Sequence, residues 1–190
     1  LGYGVFQGCS SLTSVALPDG LTQLGDGVFY DCSSLTSMAL PDGVTQLGNG
    51  VFNGCSSLTS MAMPDSLTQI GNQAFAECTS LTSVVLPDSL TQLGECAFGW
   101  CSSLLSVVLP DGAVLGDDVF IKCNGLDLMA LMARFDSVEL FLRDRYKSIS
   151  LRKLVLRLLR KYNKAVNNAD GREVEKHATA LALFPADNTG

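Results

Sequence analysis

Ser80-Leu81-Thr82-Ser83-Val84-Val85-Leu86-Pro87-Asp88-Ser89-Leu90-Thr91-Gln92-Leu93-Gly94-Glu95-Cys96-Ala97-Phe98-Gly99-Trp100-Cys101 is the fullest statement of a phrase that recurs from Leu1 to about Leu126. Phe6, Phe29, Phe52, Phe75 and Phe98 fall in one slot at a fixed step of 23, and Phe120 follows at 22. Pro18, Pro41, Pro64, Pro87 and Pro110 keep the same step, as do Cys9, Cys32, Cys55, Cys78 and Cys101, with Cys123 closing the series. A period of 20 to 30 residues with leucines at fixed offsets encodes a solenoid of stacked units.

One unit shows how the coil turns. Val15 and Leu17 alternate as in a half-buried strand, and Pro18-Asp19-Gly20 stops it with turn chemistry. Leu21 and Leu24 predict a second short extended piece. Gly27-Val28-Phe29-Tyr30-Asp31-Cys32 then predicts a helical or 3₁₀ turn packing Val28, Phe29 and Cys32 inward. No unit can bury this face alone, so at least three must stack. Stacking turns each slot into a column. The column Gln23, Gln46, Gln69 and Gln92 is expected to add amide hydrogen bonds along the axis.

The pattern Leu-Thr-Ser-Val-x-Leu-Pro-Asp-x-Leu-Thr-x-Leu-Gly-x-x-x-Phe-x-x-Cys resembles the BspA-type leucine-rich repeat over residues 1–126. The resemblance implies an α/β repeat architecture, a leucine-rich-repeat solenoid of short stacked parallel strands. It also implies adhesion or protein binding at a cell surface rather than catalysis. Residues 127–190 lie outside it.

Those residues change period. Apolar Leu151, Leu154, Val155, Leu158, Leu159, Tyr162 and Val166 form one stripe, while Arg152, Lys153, Arg157, Arg160, Lys161 and Lys164 cover the other side. The segment 127–190 therefore reads as a small α-helical C-terminal cap on a 1–126 solenoid. Its basic helix 151–166 is a candidate binding face for an acidic partner or a membrane surface, against the plainer reading of a solvated amphipathic cap. Charge divides accordingly. Residues 1–126 hold eleven acids against Lys122 alone, −10; residues 127–190 hold eight acids against twelve Lys and Arg, +4; together these give the net −6. An acidic total without stacking aromatics argues against nucleic acid. No apolar run reaches the 18 or so residues needed to span a bilayer. The chain starts in mid-repeat at Leu1-Gly2-Tyr3-Gly4 without an initiator Met, so it reads as a piece of a longer protein.

The candidate protein-binding face is the outward side of the first strand in each unit: Ser14, Ala16, Ser37, Ala39, Ser60, Ala62, Ser83, Val85, Ser106 and Val108. It is small and uncharged, and it lacks the aromatic and Arg anchors that dominate binding energy. Six of the seven cysteines sit in register and read as a buried column of small hydrophobes, while Cys96 reads as an exposed spare thiol. An odd count leaves one thiol unpaired in any intramolecular scheme, which weighs toward a reducing compartment against the surface implied by the resemblance. Asp19, Asp42, Asp65, Asp88 and Asp111 read as turn aspartates rather than a calcium stripe. No Cys-x-x-Cys, phosphate loop or nucleophile motif is present, and His177 is the single histidine. The sequence thus names no catalytic residue, cofactor or metal, and points to a non-catalytic scaffold. A regulatory or targeting module acting through helix 151–166 and a structural spacer are the alternatives.

Overall fold

A computed structural model describes residues 1–110 and 113–126; the cap expected over 127–190 and its basic helix lie outside them. Nine short strands run in order: β1 Gln23–Leu24, β2 Ser37–Ala39, β3 Gln46–Leu47, β4 Ser60–Ala62, β5 Gln69–Ile70, β6 Ser83–Val85, β7 Gln92–Leu93, β8 Ser106–Val108 and β9 Val114–Leu115. Every pairing is parallel and joins equivalent positions of successive coils, as a 23-residue period requires. The expected solenoid of stacked parallel strands is therefore what forms.

The continuous sheet is not the one that the sequence emphasises. The two-residue pieces β1, β3, β5, β7 and β9 make one five-stranded sheet, whereas the longer strands pair only as β2 with β4 and β6 with β8. The Gln-Leu piece is clamped from several directions. Leu24, Leu47, Ile70 and Leu93 are buried beneath it. Thr45, Thr68 and Thr91 each donate a backbone N–H and a side-chain hydroxyl to the carbonyl of the threonine one coil earlier. The Gln column contributes through its backbone; no amide-to-amide bond joins its side chains, contrary to expectation.

The turn segment meets expectation in part: Val28, Phe29 and Cys32 are fully buried and its local bonds span three residues, as in a 3₁₀ turn, but they do not run on into a helix. Among the described residues it contains no helix. Local bonds such as Tyr30 N to Gly27 O (3.0 Å) and Cys32 N to Phe29 O (3.1 Å) alternate with bonds to the next coil. Gly27, Phe29 and Asp31 donate to the carbonyls of Asn49, Val51 and Asn53, each at 2.8 Å. Sending alternate N–H groups along the axis requires left-handed backbone at two points per coil. Gly4 and Gly8, Gly27 and Asp31, Gly50 and Gly54, Gln73 and Glu77, Cys96 and Trp100, and Asp118 and Lys122 all have φ between 51° and 76°. A continuing helix cannot accommodate that.

The core is a set of columns. Phe29, Phe52, Phe75 and Phe98 are fully buried and lie nearly parallel to their neighbours, with ring centroids 5.1–5.4 Å apart between successive members from Phe6 to Phe98. The shortened last unit is absorbed at one place. Ala113 fills the buried slot held by Leu90 one coil earlier, and Val114 pairs with Gln92, so the slot left out is that of Thr91.

Candidate functional site

Strand alternation fixes the first candidate face, because successive side chains leave a strand on opposite sides. Met38, Val84 and Val107 point into the core, and Met61 is half-buried. Their neighbours Ser14, Ala16, Ser37, Ala39, Ser60, Ala62, Ser83, Val85 and Ser106 are exposed, and Val108 is half-buried. Register brings them into rows: Ser37 beside Ser60, Ala39 beside Ala62, Ser83 beside Ser106, and Val85 beside Val108. The face is graded. At its early end it carries only Ser, Thr and Ala, but later Val85 is 64% and Leu105 57% exposed. Leu105 takes the slot that Thr13, Thr36, Thr59 and Thr82 hold in earlier units. The other expected site, Arg152, Lys153, Arg157, Arg160, Lys161 and Lys164, lies outside the described residues.

A second surface went unseen in the sequence. Each coil has a glycine followed by Asp26, Asn49, Asn72 or Glu95. Asn49 N donates to Asp26 Oδ1 (2.7 Å) and Asn49 Nδ2 to Asp26 Oδ2 (3.3 Å). Asn72 N then donates to Asn49 Oδ1, and Glu95 N to Asn72 Oδ1, both at 2.8 Å. Side chains here do for the corner what backbone does for the strands. With the Gln column, Asp26, Asn49 and Asn72 border a shallow groove of about 370 Å³ along the five-stranded sheet. The legible signal was the Gly-Asx step repeated at 23, since Asx side chains characteristically bond nearby backbone.

Four members of the cysteine column, Cys32, Cys55, Cys78 and Cys101, are buried as expected, while Cys123 is half-buried and Cys9 is exposed, because among the described residues an end coil is covered on one side only; the column is also bonded. Cys55, Cys78 and Cys101 donate Sγ–H to the carbonyls of Phe29, Phe52 and Phe75 at 3.1–3.2 Å. Burial pushes the Cys55 thiol up to about 12, with the neighbouring Cys32 adding to the shift, and holds Cys78 well above 9.0. All seven thiols are free. Cys96, expected to be exposed, is only 8% exposed, and burial raises its pKa. Cys9, in the first coil, is the exposed thiol. Asp19, Asp42, Asp65 and Asp88 are exposed in turns closed by bonds such as Leu21 N to Pro18 O (3.1 Å). Among the described residues no three His, Cys, Asp or Glu side chains converge to hold a metal ion, and no helix is long and apolar enough to cross a membrane.

This geometry recurs in solved structures. A leucine-rich repeat protein from Bacteroides ovatus matches at 35% identity and a TM-score of 0.64, over 66% of this chain and 33% of that one. The T. pallidum leucine-rich repeat protein matches at 30% identity and a TM-score of 0.58, over 70% of this chain and 74% of that one. A leucine-rich cell surface protein from Faecalibacterium prausnitzii matches at 30% identity and 0.58, over 67% of this chain and 41% of that one. The chain thus spans about a third of the Bacteroides ovatus protein's length. Comparison with curated proteins finds no match. The BspA type leucine-rich repeat region matches residues 1–127 in six copies. With its 23-residue step and in-register coils, the chain belongs to the BspA-type leucine-rich repeat family.

Proposed function

We propose that the chain is a non-catalytic scaffold that binds a protein partner through the strand face, in adhesion or protein assembly at a cell surface. The observation that carries this reading is the graded, exposed strand face. Rigid rows of small side chains end at Val85, Leu105 and Val108, which supply the apolar area that the rest of the face lacks. A small flat region that closes on an apolar spot suits a partner anchored at one end and aligned along the coils. The cell surface is supported by the likeness to the Faecalibacterium prausnitzii protein, which is described as a cell surface protein.

A second reading places binding on the basic face of residues 151–166, favoured by the opposite charge of the two parts of the sequence. Affinity capture from source lysate and extracellular fractions separates the two. The intact chain is compared with Val85→Glu/Leu105→Glu and with Arg157→Glu/Arg160→Glu. Loss of a partner only in the first variant supports the strand face. Loss only in the second transfers the function to the basic segment, and a partner kept by both removes both surfaces from consideration.

A further inference from the structure

Near-identical units make their exceptions informative. The slot after each column phenylalanine holds Gln7, Tyr30, Asn53, Ala76, Gly99 and Ile121. Asn53 is 8% exposed and is the buried polar residue among those described. Its backbone is bonded, N to Gly50 O (3.1 Å) and O from Asp31 N (2.8 Å), but its carboxamide has no partner among the described residues. A buried amide can make up to four hydrogen bonds, and leaving them unmade opposes folding. Ala76 fills the same slot one coil later, so the stack does not need an amide there.

Asn53 lines a cleft of about 460 Å³ with Tyr3, Tyr30, Asn72, Gln73 and Glu95. Gly27 and Gly50, left-handed positions of these coils, also line it; a Cβ on Gly50 would lie in ordinary contact, 3.6 Å from the Tyr30 ring and 3.8 Å from Asn53 Cβ. The corner ladder leaves it chemically vacant in a defined way. Asn49 spends both ends of its amide on Asp26 and Asn72, while Asn72 spends only Oδ1, on Glu95 N. Asn72 Nδ2, the Gln73 amide and the Glu95 carboxylate have no side-chain partner among the described residues. The walls thus offer amide donors and acceptors, two phenol rings and two carboxylates, Asp26, which already accepts from Asn49, and Glu95, which does not; no cationic side chain lines the cleft. Such a set disfavours anions. It matches a neutral ligand with donors and acceptors around its rim and a flat C–H face for an aromatic ring, which is the chemistry of a pyranose sugar. The volume is within the roughly 300–1,000 Å³ usual for small-molecule sites.

We propose that the cleft between Tyr3, Tyr30 and Asn53 is a saccharide-binding site that takes one pyranose unit, with Asn53 hydrogen-bonding its hydroxyls. It shares no residue with the strand face, so failure of either reading leaves the other standing.

The test is titration of the isotope-labelled full chain with methyl β-glucopyranoside, methyl β-galactopyranoside and N-acetylglucosamine, followed by amide NMR. The proposal expects saturable millimolar shifts with at least one sugar, at the Asn53 side-chain amide and at the backbone amides of Tyr30 and Asp31. Asn53→Ala, which copies Ala76, and Tyr30→Gln, which copies Gln7, should each weaken binding by roughly 10-fold or more, the effect of losing the central contacts of a small site. Asn53→Ala should also keep or raise the melting temperature of the sugar-free protein, since it removes an unpartnered buried amide, and Val85→Glu should leave sugar binding unchanged. The proposal is overturned if none of the three sugars shifts the Asn53 amide, or if Asn53→Ala and Tyr30→Gln bind as well as the parent. It is also overturned if Asn53→Ala lowers the melting temperature, because the amide would then be serving the fold.

Discussion

Gly71→Ala should unfold the stack locally, although it adds a single methyl group to a residue with an ordinary backbone angle. A Cβ at Gly71 would lie 2.7 Å from Asn49 N, 2.7 Å from Gly48 C and 2.8 Å from Gly48 O. All three are backbone atoms of the preceding coil, and ordinary contact begins at about 3.4 Å. The two coils must therefore separate at this corner by well over half an ångström. The clash itself is an overpacking of about 1–3 kcal/mol. Separation also strains the bonds from Gly71 N to Leu47 O (2.9 Å) and from Asn72 N to Asn49 Oδ1 (2.8 Å). Each such bond contributes about 1 kcal/mol. Restricting the unfolded chain returns only about 0.4–1 kcal/mol. The net expectation is a loss of roughly 2–4 kcal/mol. Gly20→Ala is the control: no atom lies within 4 Å of its Cβ position and its φ is not left-handed. It should be neutral or stabilising by up to about 1 kcal/mol. Urea unfolding followed by circular dichroism measures both. Equal midpoints for Gly71→Ala and Gly20→Ala would refute the claim that coil spacing is set by this glycine column.

Three further outcomes follow from the columns. Phe75→Ala, which removes a fully buried ring stacked on Phe52 and Phe98, should cost about 3–5 kcal/mol in the same assay; the half-buried Phe6 should cost less. Glu77→Gly relieves a left-handed non-glycine residue (φ 60°) and copies Gly8 and Gly54, so it should gain about 0.5–1 kcal/mol, the left-handed strain less the added chain entropy. The buried thiols make stability fall in alkali. Because the fold raises the thiol pKa above 9.0, the protonated form is the one stabilised. The contribution is complete below pH 9 and is lost as pH rises toward about 12 for Cys55. Urea midpoints between pH 8 and 11 should decline in the parent and decline less in Cys55→Ala/Cys78→Ala.

The period, the Phe and Cys columns, the proline turns and the exposed strand face were legible because a strict step of 23 assigns every residue a slot. Slot identity does not say which bond joins one slot to the next. Gln was credited with an amide column, yet Asn49 and Asn72 carry the side-chain bonding, because the corner they occupy leaves backbone N–H groups facing the preceding coil. The helical or 3₁₀ turn expected at Gly27–Cys32 is present only as isolated three-residue bonds, for the same reason: its N–H groups alternate between local and axial partners. Cys96 misled because position within the unit was taken for exposure: Gln73 holds the same slot with the same left-handed φ and is exposed, whereas the shorter Cys96 side chain is buried. Asn53 was passed over since one asparagine in a turn carries no sequence signal; its burial without a partner appears only in three dimensions.

The coil-to-coil bonding also has a mechanical consequence. Coils are joined through short parallel strands, the corner amides and the turn ladder, and every one of these links connects residues about one period apart. A load applied along the chain therefore meets a series of nearly equal clasps rather than a single shared one. Each clasp that opens releases one period of chain, about 8 nm at the full extension of roughly 3.4 Å per residue. Stretched by its ends, the solenoid should lengthen in even steps and absorb work at each, as a tether that yields gradually.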